Sequence, residues 1–86
     1  MNHYFYLKLK IGGSWFYIRS VTWYKNFEPT FEPVFVTNID LSGLFFKDQV
    51  KKVLDIYPDL VVLTRARIGN KLELVEVEKN QFAPAK

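Results

Sequence analysis

His3, Glu28 and Glu32 are the side chains that come nearest to catalytic or metal-binding chemistry in this sequence, and none of them is placed to perform it. His3 is the only histidine and lies at a terminus expected to fray, which makes it a poor general base or metal ligand. Glu28 and Glu32 stand in "FEPTFEP", where prolines bracket them, and carboxylates in such a segment read as solvated. With no cysteine there is no thiolate zinc site, and no D-x-D-x-D-G spacing offers a calcium loop. Gly12 and Gly13 separate two strand-like stretches instead of opening a helix, the wrong context for a phosphate loop. The sequence therefore reads as a non-enzyme that needs neither cofactor nor metal.

The chemistry that remains is binding chemistry, concentrated in "HYFYLKLKI" and "SWFYIRSVTWY". The first stretch alternates strictly, with Phe5, Leu7, Leu9 and Ile11 on one face and Tyr4, Tyr6, Lys8 and Lys10 on the other. Gly12-Gly13 accepts the positive φ of a two-residue hairpin turn, which sets Ile11 opposite Ser14. That register pairs Leu9 with Phe16 and Leu7 with Ile18 on a core face. On the reverse it sets Lys10 opposite Trp15, Lys8 opposite Tyr17 and Tyr6 opposite Arg19, with Tyr4, Val21 and Trp23 completing the surface. Three readings stay open. The rings and cations are solvated cross-strand pairs worth about 0.5 to 1 kcal/mol each, or they are exposed for a partner, or a neighbouring segment carrying Phe27 and Phe31 folds over them.

The elements that must position these residues follow from pattern. "KNFEPTFEP" repeats Phe-Glu-Pro and reads as a stiff loop or a sheet edge, because proline removes a backbone donor. "VFVTN" reads as a third strand and "IDLSG" as a turn. An amphipathic helix is predicted from Lys47 to Ile56, its apolar stripe formed by Phe46, Val50, Val53, Leu54 and Tyr57, with Pro58 ending it. Lys47, Lys51 and Lys52 fall on its wet side. "LVVLTRARI" and "KLELVEVE" form a second hairpin of type II′ at Gly69-Asn70, with Thr64 opposite Val75 and Val62 opposite Val77 on the core face. Arg65 and Arg67 then point the other way beside Leu72 and Leu74. The order β-β-β-α-β-β predicts a small α+β domain of about five antiparallel strands with one helix packed on the sheet.

With 86 residues the chain is expected to form one domain over 1–79, followed by a flexible tail at 80–86, and to bury about 60% of its unfolded surface. No stretch is long and apolar enough to read as a membrane span, and the start of the chain lacks the apolar region of a signal peptide. Lack of cysteine fits a cytoplasmic location. The net charge of +3 is mild, but its distribution is uneven. Residues 4–24 carry Lys8, Lys10 and Arg19 and no acid, whereas the last strand carries Glu73, Glu76 and Glu78.

The span 33–68, "PVFVTNIDLSGLFFKDQVKKVLDIYPDLVVLTRARI", preceded by "KIGGSWFYIRSV" at 10–21, resembles small accessory or early proteins of phages and prophages of low-GC Gram-positive bacteria. In those a strand hairpin leads to a "vfTdn" strand, a turn, a Phe, a helix and closing strands. Val34 to Asn38, Phe46 and Val50 to Leu54 occupy the matching places. The resemblance implies a protein that binds and blocks a host factor, such as a defence nuclease.

Taken together, a non-catalytic protein is expected to bind a host or defence protein. Its surface would be Tyr4, Tyr6, Lys8, Lys10, Trp15, Tyr17, Arg19 and Trp23 with Phe27 and Phe31 of the neighbouring segment. The alternatives are a single-stranded nucleic-acid binder using the same rings as stacking platforms, and a structural protein or homo-oligomer whose rings meet their copies. No RNA-recognition signature and no KH loop accompany the rings, which places protein ahead of nucleic acid.

Overall fold

The computed structural model describes residues 4–25 and 29–82, with side chains at 4–22 and 33–82. Along them run β1 (Tyr6–Ile11), β2 (Ser14–Lys25), β3 (Pro29–Val36), α1 (Lys47–Ile56), β4 (Val61–Ile68) and β5 (Lys71–Val77), with short 3-10 turns at Ile39–Leu41 and Lys79–Phe82. All five strands join one antiparallel sheet in the spatial order β3-β2-β1-β4-β5. The domain is thus a small α+β fold with one helix.

Next to their turns both tight hairpins have the register that alternation and turn chemistry predict. Gly12 and Gly13 take φ of 59° and 85°, as a type I′ turn requires, and Ile11 pairs with Ser14, Lys10 with Trp15, Leu9 with Phe16 and Lys8 with Tyr17. In the second hairpin Ile68 pairs with Lys71, Thr64 with Val75 and Val62 with Val77. The helix spans Lys47–Ile56, and the Gln49 side chain accepts the Phe46 N–H at 2.9 Å, one half of a capping box.

The first hairpin departs from its predicted register beyond Tyr17. Pairing of β1 with β2 ends at Lys8↔Tyr17, so Leu7 does not face Ile18 in a ladder and Tyr6 does not face Arg19. The segment 42–45 wedges in instead. Gly43 donates its N–H to the Ile18 carbonyl at 3.1 Å, and Phe45 exchanges two 2.9 Å backbone bonds with Phe5. A Cβ at Gly43 would overlap the Arg19 carbonyl oxygen, so only glycine allows this approach.

On its other side β2 carries a bulge. Ile18 pairs with Phe35 and Ser20 with Val34, which leaves Arg19 as the extra residue. One extra residue inverts the alternation downstream, and Val21 accordingly packs against the core instead of joining Trp15 and Tyr17. The alternation that grouped Trp23 with those rings is broken at Arg19. The backbone of Trp23 pairs with Phe31; both side chains lie outside the described ones, and Phe27, Glu28 and His3 lie outside the described residues altogether.

The double-proline segment is resolved as sheet edge: Pro29 to Pro33 belong to β3. Proline is tolerated there because an edge strand needs only one side of its backbone for pairing.

Among the described side chains the core lies on one face of the sheet. Leu7, Ile18, Val50, Val53, Leu60 and Val62 are fully buried, with Phe5, Leu9, Phe45 and Phe82 nearly so. Two aromatic assignments change. Phe46 caps the helix at 48% exposure, and its neighbour Phe45 is the ring that enters the core. Phe82 was expected in a flexible tail, yet it is 4% exposed and meets Phe5 edge-on at 5.2 Å, so the domain extends past residue 79 through Phe82. Lys79 anchors that turn by donating from Nζ to the Pro58 carbonyl at 2.8 Å.

Candidate functional site: the open face of the sheet

With α1 and the Phe82 turn on one side, the other side of the sheet is left without a covering layer among the described residues. Strand alternation and pairing place on it Trp15 and Tyr17 of β2, Tyr6, Lys8 and Lys10 of β1, and Val34 and Val36 of β3. The central pairing of β1 with β4 sets Tyr6 opposite Leu63 and Lys8 opposite Val61, which continues the face into Arg65 and Arg67 and then Leu72, Leu74 and Glu76 of β5. Among the described side chains of these strands, Lys8, Lys10, Arg65 and Arg67 face only Glu76 as a carboxylate. In its described side chains the face is aromatic, aliphatic and basic.

Its geometry shows how the rings are held. Lys8 Nζ lies 4.5 Å from the Trp15 ring centroid and Lys10 Nζ lies 5.9 Å from it. Lys10 is directly across from Trp15, yet the diagonal Lys8 is nearer, since a long side chain spans the diagonal of a twisted pair. The cation on Tyr6 is Arg65, not Arg19. Arg65 Cζ stands 5.4 Å from that ring, and Nε donates to the Tyr6 hydroxyl at 2.9 Å. Tyr4 lies at the rim against Phe46, with centroids 5.2 Å apart, and its carbonyl accepts from Thr64 Oγ1.

The structure therefore brings Tyr6, Lys8, Lys10, Trp15 and Tyr17 onto one surface, with Tyr4 at its edge, and leaves Arg19 in the bulge. In the sequence Arg65, Arg67, Leu72 and Leu74 read as a separate reverse face. No local pattern signals that β1 and β4 are neighbours, the pairing that joins the two hairpins into a single surface.

Among the described residues no group of three or more His, Asp or Glu is gathered as a metal site would be, and no helix is long and apolar enough to cross a membrane. No family model, curated protein or solved structure matches the chain.

Proposed function

We propose that the chain is a non-catalytic cytoplasmic binding protein whose open sheet face docks on a protein with a carboxylate-rich, apolar-centred surface. One observation carries the reading: among the described side chains, a single face combines Trp15, Tyr17, Leu63, Leu72 and Leu74 with four cations and one acid. A sheet face meant only for water would be polar, and rings and arginine are what protein interfaces enrich. The resemblance to phage accessory proteins directs the proposal toward a host or defence protein, for example a nuclease, blocked by stoichiometric occupation.

Nucleic acid is the second reading, favoured by the same cations. It ranks lower because Lys8 and Lys10 already converge on Trp15, so a base would have to displace them to stack, and because aliphatic side chains fill much of the remaining face.

The test is capture from a bacterial lysate with and without nuclease, comparing wild type with Lys8→Glu/Arg65→Glu. The expected result is a protein retained after nuclease treatment and lost with the charge reversal, while the variant still unfolds cooperatively with its midpoint lowered only by the loss of the exposed Trp15 and Tyr6 contacts. Capture that disappears with nuclease supports nucleic acid instead, and capture indifferent to the reversal removes the open face from the account.

A further inference from the structure

The two edges of the sheet are built differently. On β3, Pro29 and Pro33 fall on alternate positions, and proline enters a strand only where its missing N–H would face outward. Two donors are thus stripped from that edge, a usual protection against strand addition. β5 has no proline and no bulge. Ile68 and Lys71 close the two-residue turn as a hydrogen-bonded pair, so Lys71, Glu73, Val75 and Val77 turn their backbone groups toward β4. Leu72, Leu74 and Glu76 turn theirs to the free edge, and Leu72 is 58% exposed.

We propose that this edge pairs with the same edge of a second copy, antiparallel about a two-fold axis at Leu74, joining two sheets into one. This goes beyond the reading of the open face and does not depend on it. The occupant is argued from charge and register. With Leu74 on the axis, Leu72 lies opposite Glu76 of the second copy, and Arg67 is the neighbour of Leu72 on the same row. A cation and a carboxylate then flank one leucine at two strand spacings, about 9 to 10 Å between backbones, within reach of extended Arg and Glu side chains. The two-fold axis repeats that row and sets Leu74 against its copy. Glu73 falls opposite Val75, so no carboxylate directly faces another. Moving the axis to Glu76 opposes two carboxylates directly, and moving it to Leu72 shortens the overlap to the turn; the Leu74 register avoids both.

Sedimentation equilibrium of the full chain over a wide concentration range tests the proposal. Wild type is expected to pass from monomer to dimer, Arg67→Glu to stay monomeric, and Arg67→Glu/Glu76→Arg to recover the dimer. Leu74→Pro, which removes an outward N–H and no ladder bond, is expected to be monomeric with an unchanged circular-dichroism spectrum; if it does not fold, the charge pair decides alone. A wild type that stays monomeric at the highest concentration overturns the proposal, as does a dimer that survives Arg67→Glu. A dimer lost with Trp15→Ala instead assigns the contact to the open face and also overturns it. So does a monomer whose β5 amides gain exchange protection only when a captured protein is present, since that edge would then belong to a partner's strand.

Discussion

Leu7, Ile18 and Val62 on one face and Trp15, Val34 and Leu72 on the other belong to one five-stranded sheet, yet the first three are fully buried and the last three are 44%, 47% and 58% exposed. Both sets are apolar. What separates them is coverage: Val50 and Val53 of α1, Phe45 of the wedge and Phe82 of the final turn all close on one side. Alternation therefore decides which residues share a face, and the rest of the chain decides which face becomes the core. The face without a cover among the described residues keeps Trp15, Val34 and Leu72 toward solvent, and that is the physical ground for proposing it as a docking surface.

The comparison breaks first on the covered side. Phe82→Ala is expected to destabilise by about 3 to 5 kcal/mol and Leu7→Ala by about 2 to 5 kcal/mol, since each leaves a cavity lined by a packed core. For a domain this small either loss is a large share of total stability, and urea unfolding reads it. A Phe82→Ala midpoint equal to wild type would return residues 80–82 to a loose tail. Gly43→Ala is expected to cost about 1 to 3 kcal/mol, because the added Cβ meets the Arg19 carbonyl and the wedge must move. If Gly43→Ala is neutral, the close approach of the wedge to β2 is not required by the fold.

On the open side the effects on folding shrink. Lys8→Ala should cost about 0.5 to 1 kcal/mol, the value of one exposed cation–π contact with Trp15. A larger loss would show that Lys8 holds the sheet together instead of decorating it.

Much of this fold is legible in the residues because local rules are strong where two-residue turns set register. Gly12-Gly13 fixes its hairpin as far as Lys8 and Tyr17, Gly69-Asn70 fixes the other from Ile68 and Lys71 to Val62 and Val77, and Val50, Val53 and Pro58 locate the helix. What escapes the sequence is non-local. The bulge at Arg19 falls where β2 parts from β1 and Gly43, far along the chain, bonds the Ile18 carbonyl, and no alternation within 14–25 signals the inversion at Val21. Phe45 and Phe46 are indistinguishable as types; the wedge selects one for the core and the helix cap exposes the other. The candidate site was visible only in its first half. Its second half needed the pairing of Tyr6 with Leu63, which depends on where β4 returns after the helix.

The claim that the open face binds and does not fold is tested most directly by placing Trp15→Ala beside Leu7→Ala in the same two assays, urea unfolding and capture of the lysate protein. Trp15→Ala is expected to stay within about 1 kcal/mol of wild type in stability while its affinity falls about thirtyfold, the effect of losing an anchor worth about 2 kcal/mol. Leu7→Ala is expected to fail first in folding. A Trp15→Ala variant that unfolds as readily as Leu7→Ala, or one that captures its partner as well as wild type does, contradicts the account.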